Sequence, residues 1–122
     1  MKIGIFGTGY VGSVTGAVFA EKGNVVVCVD SDKEKIKQIK ELKVPMYEPG
    51  LEGLIRKNVS AGRLRFTDDF VDGVVSSDVL FTCVGTPPKD DGSADLSAVF
   101  KVAEDAARII YDKKLGYRLI IN

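Results

Sequence analysis

The chain has 122 residues, the length of one ordinary domain. Hydrophobic residues make up 45% of the sequence and charged residues 28%, a balance that allows a buried core and excludes intrinsic disorder. Lys and Arg together number 17, as do Asp and Glu, so the net charge of zero gives no electrostatic reason to expect nucleic acid or an anionic membrane as a partner.

Short apolar runs alternate along the chain with longer helical stretches, a pattern typical of βαβ units in a parallel sheet. The predicted strands are residues 2–6, 25–29, 64–67, 79–84 and 118–121. The predicted helices are residues 10–22, a second helix opened by a capping box at 31–34, then 51–61, 68–76 and 96–113. The last helix is expected to turn Val99, Phe100, Ala103, Ala106, Ala107 and Ile110 inward. We therefore expect an α/β fold, a Rossmann-type doubly wound parallel sheet in the order 3-2-1-4-5, with a sixth strand beyond residue 122.

The first predicted strand runs into Gly7-Thr8-Gly9-Tyr10-Val11-Gly12, which has the spacing of a dinucleotide-binding loop. The first glycine permits a tight turn, the second leaves room for a pyrophosphate beside the backbone, and the third lets the helix pack closely on the sheet. Backbone N–H groups at the start of the helix would face the phosphates. A bare glycine turn is the alternative interpretation, but its place between a strand and a helix favours the dinucleotide site.

Asp30 ends the second predicted strand at roughly the 20-residue spacing where an acid receives the adenosine ribose hydroxyls. A carboxylate there accepts hydrogen bonds from the ribose and repels a 2′-phosphate, which favours NAD over NADP. Lys33 and Lys35 lie nearby and would attract a phosphate instead, although such lysines more often form a solvated helix face. A helix-capping role is the alternative for Asp30.

A second unusual loop, Val84-Gly85-Thr86-Pro87-Pro88, leaves the fourth strand where the predicted strand order reverses. A third segment with turn residues is Pro45-Met46-Tyr47-Glu48-Pro49-Gly50-Leu51. On these three motifs the whole chain resembles the nucleotide-sugar dehydrogenases, also called the UDP-glucose/GDP-mannose dehydrogenase family. The stretch Asp91-Gly92-Ser93-Ala94-Asp95-Leu96 is more similar to the UDP-glucose branch than to the GDP-mannose or N-acetylmannosamine branches.

The resemblance implies NAD as the cofactor and assigns roles to several residues. Those that would hold the pyrophosphate are Gly7, Gly9, Tyr10, Val11 and Gly12. Asp30, helped by Lys35, would take the adenosine ribose, and Thr86 would lie along the cofactor. No chemical role follows for residues 47–51, which we expect to form a shaped turn in which Glu48 is structural rather than catalytic.

The family oxidises the C6 alcohol of the sugar to a carboxylate with two NAD molecules, through a cysteine nucleophile. Cys28 and Cys83 both lie inside predicted buried strands, so we expect reduced core thiols and no catalytic residue in this chain. Two cysteines without histidine also predict no metal site. The sequence has no apolar stretch long enough to cross a bilayer and no signal-peptide pattern, so a cytoplasmic location is expected.

We therefore interpret residues 1–122 as the NAD-binding fragment of a longer, homo-oligomeric enzyme, whose central helix and sugar-nucleotide-binding domain lie further along. Alone, the fragment is expected to bind NAD weakly and oxidise nothing. Two alternatives stay open: another Rossmann dehydrogenase of the hydroxyacyl-CoA or 6-phosphogluconate type, and a free-standing NAD-binding regulatory domain.

Overall fold

The computed structural model describes residues 1–43 and 48–122, so the predictions that concern Pro45 and Tyr47 lie outside the described residues. The strands are β1 (Lys2–Phe6), β2 (Val25–Val29), β3 (Leu64–Thr67), β4 (Val79–Thr82) and β5 (Leu119–Ile121). The helices are α1 (Tyr10–Glu21), α2 (Lys33–Lys40), α3 (Leu51–Ser60), α4 (Phe70–Val75) and α5 (Ser97–Asp112). All strand pairs are parallel and the order is β3-β2-β1-β4-β5, which confirms the predicted fold class and topology.

Helices cover both faces of this sheet, because alternate side chains of each central strand point in opposite directions. On one face Ile3 and Ile5 of β1 pack in a core with α1, α2 and α3. On the other face Phe6 packs in a second core, with Val74 of α4 and Ala106 of α5. Burial on both faces explains why the central strands β1 and β2 are almost wholly apolar, whereas the edge strand β3 carries the exposed Arg65. No helix within the described residues is long and apolar enough to span a membrane.

Strand β4 ends at Thr82, two residues earlier than predicted. Its neighbour β1 ends at Phe6, the partner of Thr82, and then turns into the glycine loop, so β4 has nothing further to pair with. The backbone N–H of Cys83 donates one last hydrogen bond to the Phe6 carbonyl oxygen at 2.7 Å, and the chain then leaves the sheet. The prediction that both cysteines lie in buried strands is therefore right for Cys28 and wrong for Cys83, which is only half-buried.

Helix α2 begins one residue later than the predicted capping box requires. Its N-cap is Asp32, whose side chain accepts a hydrogen bond from the Lys35 backbone N–H at 3.0 Å, and not Ser31. The turn is set by Asp30, because its carboxylate accepts the Asp32 backbone N–H at 3.0 Å. The end of β2 and the start of α2 are thus joined through the predicted ribose-binding residue.

Helix α5 buries a narrower stripe than predicted. Phe100 is 60% exposed and Ala107 is also exposed, so the prediction that both point inward is wrong. The stripe that packs on the second core is Val102, Ala106, Ile109 and Ile110, spaced by four, three and one residues. Phe100 lies two positions before Val102 and therefore projects from the opposite side of the helix.

Candidate functional site

A cleft of about 370 Å³ opens at the carboxyl edge of the sheet, between the ends of β1 and β4. It lies where the strand order reverses, the position at which doubly wound sheets bind their ligands. The strand ends and the loops that follow them supply Phe6, Gly7, Gly9, Val29, Asp30, Ser31, Cys83, Val84 and Gly85, and the helices supply Lys35, Phe70, Ala98, Lys101, Val102 and Asp105.

The three loop glycines each meet a different steric situation. Gly7 has φ of 104°, and a Cβ there would lie 2.5 Å from the Cys83 carbonyl oxygen. A Cβ at Gly12 would lie 1.9 Å from the Gly7 carbonyl oxygen. A Cβ at Gly9, by contrast, would meet nothing within 4 Å, and Gly9 lines the cleft. Gly7 and Gly12 are thus needed for the fold, whereas Gly9 keeps space clear for a ligand.

Helix α1 presents its N-terminus at this cleft. Gly9 is the N-cap and has no side chain with which to satisfy the first backbone N–H groups, which have no partner within the helix. The first turn contains no acidic side chain, so the partial positive charge of the helix end is not neutralised there. Tyr10 and Val11 are 54% and 63% exposed, and with Gly12 they are not among the residues that line the cleft, so their contact with the pyrophosphate stays a prediction. Such a helix end suits an anionic group, as the pyrophosphate of NAD requires.

The Asp30 carboxylate also lines the cleft and accepts four hydrogen bonds from the described residues. Its Oδ2 accepts the Thr8 backbone N–H at 2.8 Å, the Thr8 hydroxyl at 2.8 Å and the Lys35 ammonium at 3.0 Å. Its Oδ1 accepts the Asp32 backbone N–H. Asp30 and Lys35 thus form an ion pair of 3.0 Å, and their role in binding the adenosine ribose stays a prediction.

The Asp30 carboxyl group is strongly acidic in this setting. Burial acts to raise its pKa, but the hydrogen bonds from Asp32, Thr8 and Lys35 together outweigh burial and lower the pKa to about 2. The group is consequently a carboxylate at any physiological pH. It can accept hydrogen bonds from ribose hydroxyls and opposes a second negative charge at the same place.

The second loop approaches the cleft through Val84 and Gly85. Thr86 is exposed and is not among the residues that line the cleft, so its contact with a cofactor stays a prediction. A single antiparallel bridge between Pro88 and Ala94 closes the loop, supported by hydrogen bonds from the Lys89 N–H to Ser93 and from the Asp95 N–H to Pro87. The loop is therefore more regular than its prolines and glycines indicate.

Sequence reasoning missed three polar residues of this site. Thr8 is fully buried and bonds Asp30 twice, although the second position of the glycine motif accepts many residue types. Lys101 and Asp105 form an ion pair of 3.0 Å at the α5 wall of the cleft. In the sequence they are an ordinary pair spaced by four on an exposed helix, and only the tertiary fold brings them to the cleft.

The thiols offer little nucleophilic character. Burial raises the pKa of Cys83, which lines the cleft, and burial together with the nearby Cys83 thiol raises the pKa of Cys28. Both are therefore protonated at neutral pH, and the thiolate is the reactive form. Across residues 1–43 and 48–122, no three His, Cys, Asp or Glu side chains are grouped to hold a metal ion.

The segment from Glu48 to Leu51 is a shaped turn, as predicted. The Leu51 backbone N–H donates to the Glu48 carbonyl oxygen at 3.1 Å, and Gly50 has φ of 85° and ψ of −13°, the geometry of a type II β-turn with Pro49 before it. Gly50 is also the N-cap of α3, and Leu51 is buried in the first core. The Glu48 carboxylate accepts a hydrogen bond from the Tyr10 hydroxyl, which connects the turn to the glycine loop.

Comparison with known proteins agrees with this geometry. The UDP-glucose/GDP-mannose dehydrogenase family, NAD binding domain, matches residues 1–122. The chain is similar to UDP-glucose 6-dehydrogenase of Rhizobium meliloti (strain 1021), with 51% identity over 108 residues, 88% of this chain and 25% of that protein. It is also similar to GDP-mannose 6-dehydrogenase of Pseudomonas syringae pv. syringae, with 38% identity over 122 residues, 100% of this chain and 28% of that protein.

A solved structure is similar over almost the same length. The ternary complex of GDP-mannose dehydrogenase from Pseudomonas aeruginosa superposes with a TM-score of 0.92 at 40% identity, covering 98% of this chain and 28% of that one. The chain thus spans about a quarter of the length of these relatives. The fold, the cleft and the matching family model lead to one conclusion: this chain belongs to the UDP-glucose/GDP-mannose dehydrogenase family and is its NAD-binding domain.

Proposed function

We propose that this chain is the NAD-binding part of an enzyme that oxidises UDP-glucose to UDP-glucuronate with two NAD molecules. The observation that carries the proposal is the pairing of an open α1 N-terminus beside Gly9 with the ionised Asp30 carboxylate in one cleft. These are the two groups that a dinucleotide needs, one for its pyrophosphate and one for its adenosine ribose.

Individual residues of the cleft support NAD as the ligand. Gly9 leaves the approach to the helix end clear, and Tyr10, Val11 and Gly12 would contribute backbone N–H groups there. Asp30 would accept a ribose hydroxyl through Oδ1, which has one donor within residues 1–43 and 48–122, and Thr86 would follow further along the cofactor. Bound NAD would supply the hydride acceptor of the oxidation, and this chain would bind and orient it.

UDP-glucose is the proposed substrate because the UDP-glucose relative shares more of its sequence with this chain than the GDP-mannose relative does. The identities are 51% and 38%. The Asp91–Leu96 stretch, which resembles the UDP-glucose branch, points the same way. The sugar-binding domain and the cysteine nucleophile would lie in the remainder of the enzyme. A cytoplasmic homo-oligomer completes the proposal, since the cytoplasm supplies NAD and keeps thiols such as Cys28 and Cys83 reduced.

The test uses the uninterrupted reading frame that contains this chain, expressed and purified as one protein. Incubation with NAD and either UDP-glucose, GDP-mannose or UDP-N-acetylmannosamine, followed by NADH absorbance, should show two NADH formed per UDP-glucose and much slower turnover of the other two. The 122-residue chain should bind NAD in a calorimetric titration and form no NADH. Preference for another nucleotide sugar would overturn the substrate, and absence of NAD binding by both proteins would overturn the cofactor role.

A further inference from the structure

Thr8 is a polar side chain in a place where the fold does not require one. It stands between Gly7 and Gly9 in the glycine loop, and its side chain is fully buried. Its hydroxyl donates to Asp30 Oδ2 at 2.8 Å, and its backbone N–H donates to the same oxygen at 2.8 Å. The Ser13 hydroxyl donates to the Thr8 carbonyl oxygen at 3.1 Å, so helix α1 fixes the backbone of Thr8.

The donors around Asp30 are distributed unequally between its two oxygens. Among the described residues, three of them converge on Oδ2, from Thr8 twice and from Lys35, whereas Oδ1 accepts only the Asp32 N–H. Each carboxylate oxygen offers about two lone-pair positions, so Oδ2 is saturated and Oδ1 keeps acceptor capacity. The terminal torsion of an aspartate is otherwise broad, and the carboxylate would rotate freely without fixed donors.

Of the two side chains that hold Oδ2, only that of Thr8 is fixed. The Lys35 side chain is 31% exposed and reaches Asp30 at the end of four flexible methylene groups. The Thr8 hydroxyl is buried on a short β-branched side chain, which has few rotamers. The orientation of the Asp30 carboxylate in the cleft is thus set from the glycine loop.

Resting on the proposed NAD site, we infer that Thr8 is a specificity-determining residue that positions Asp30 for NAD and against NADP. The hydroxyl holds Oδ2 away from the ligand and presents Oδ1 to the adenosine ribose. The 2′-phosphate of NADP would bring negative charge and no hydrogen-bond donor to Oδ1. Because its donors fix the carboxylate, it is unable to rotate away from that charge. Without the hydroxyl, Oδ2 keeps only the Thr8 backbone N–H and the flexible Lys35 ammonium as donors, so the carboxylate is held less firmly. This weakens the ribose contact and lets the carboxylate shift to reduce the repulsion of a phosphate.

The test is a comparison of NAD and NADP affinities for the chain and its Thr8 variants, by calorimetric titration. Thr8→Val keeps the shape and the backbone N–H but removes the hydroxyl. It should weaken NAD binding about tenfold, the effect of losing the ribose hydrogen bond to the charged Asp30 carboxylate. NADP affinity should stay the same or rise, so the ratio of NAD affinity to NADP affinity falls by at least about tenfold. Thr8→Ser, which restores the hydroxyl, should restore the ratio.

The matched control is Ser77→Ala, which removes another fully buried hydroxyl whose hydrogen bond, to the Gly73 carbonyl oxygen at 2.7 Å, is remote from the cleft. It should lower the melting temperature without changing the ratio. Should Thr8→Val not fold, Thr8→Ala removes the same hydroxyl with less bulk. An equal loss of NAD and NADP affinity, or no loss of either, would overturn the inference while leaving the proposed function intact. Failure of both the unsubstituted chain and the protein from the full reading frame to bind NAD would overturn both.

Discussion

Alanine substitutions in the glycine loop should separate the demands of the fold from those of the ligand. At position 12 an alanine Cβ would lie 1.9 Å from the Gly7 carbonyl oxygen, whereas ordinary van der Waals contact begins at 3.4 Å. Helix α1 would have to move by about 1.5 Å from a loop that is itself packed on Cys83. Overpacking of this severity costs about 3 kcal/mol in the free energy of unfolding. Gly12→Ala should therefore destabilise the fold and weaken NAD binding together.

Gly9→Ala, by contrast, should lower NAD affinity with little change in the free energy of unfolding. The added methyl group meets nothing within 4 Å, and the backbone there, with φ of −70° and ψ of −166°, is extended and open to any residue. The free energy of unfolding should change by less than about 1 kcal/mol, because the weaker N-cap is offset by the lower entropy of the unfolded chain. NAD affinity should nevertheless fall at least tenfold, since the methyl group occupies the pyrophosphate approach.

Urea unfolding followed by circular dichroism, with calorimetric NAD titration of the same samples, measures both quantities. Gly53→Ala is the matched control, because a Cβ there also meets nothing within 4 Å and the residue lies on α3, outside the cleft. It should stabilise the chain by about 1 kcal/mol through helix propensity and leave NAD affinity unchanged. Equal destabilisation by Gly9→Ala and Gly12→Ala would refute the reasoning, as would normal NAD binding by Gly9→Ala.

Three further predictions concern titration and reactivity. The pKa of Asp30 is about 2 in the folded chain against an ordinary value of 3.8, so its stabilising contribution is complete above about pH 4 and is lost as the pH falls toward 2. That contribution is about 2 kcal/mol, and Asp30→Asn should remove this part of the acid-unfolding profile. The hydrogen bond to Glu48 raises the pKa of Tyr10, so Glu48→Ala should lower the Tyr10 pKa toward 10.0 in an NMR titration. Iodoacetamide should alkylate Cys83 slowly and faster at higher pH, with protection by NAD, and leave Cys28 unmodified in the native chain.

Each of these has a clear contrary result. An Asp30→Asn chain with the same acid-unfolding profile as the unsubstituted chain would show that the carboxylate is not held by its donors. An unchanged Tyr10 pKa in Glu48→Ala would remove the contact between the turn and the glycine loop. Alkylation of Cys83 that NAD does not slow would place the cofactor away from the end of β4.

The fold was largely predictable because its information is local. Most strands are short apolar runs bounded by turn residues, and the glycine loop with Asp30 marks the first βαβ unit. The end of β4 was not predictable, because Val84 is as suitable for a strand as Leu80, and only the loss of β1 as a partner ends the pairing. Phe100 is similar, since an apolar residue on a helix carries no sign of which neighbours will cover it.

Some residues of the candidate site were likewise predictable from the sequence, and others were not. Gly7, Gly9 and Asp30 belong to a motif of fixed spacing, and Lys35 was assigned by the family resemblance. The structure brings all four to one cleft. Thr8 escaped notice because its position in the motif has no residue requirement, and its role depends on a hydrogen bond across 22 residues. Lys101 and Asp105 come from the far end of the chain, where nothing in the helix pattern distinguishes the side that meets the cleft.

The contact of Gly7 and Gly12 with each other and with residue 83 has a consequence for how this site can change in evolution. Here main chain packs against main chain, with the Gly7 carbonyl close to Gly12 and the Cys83 carbonyl close to Gly7. Mutation replaces side chains and keeps the carbonyl groups. Sequence drift at residues 83–85 can therefore change side chains that line the cleft while this backbone contact persists, whereas any Cβ at Gly7 or Gly12 would force the two segments apart.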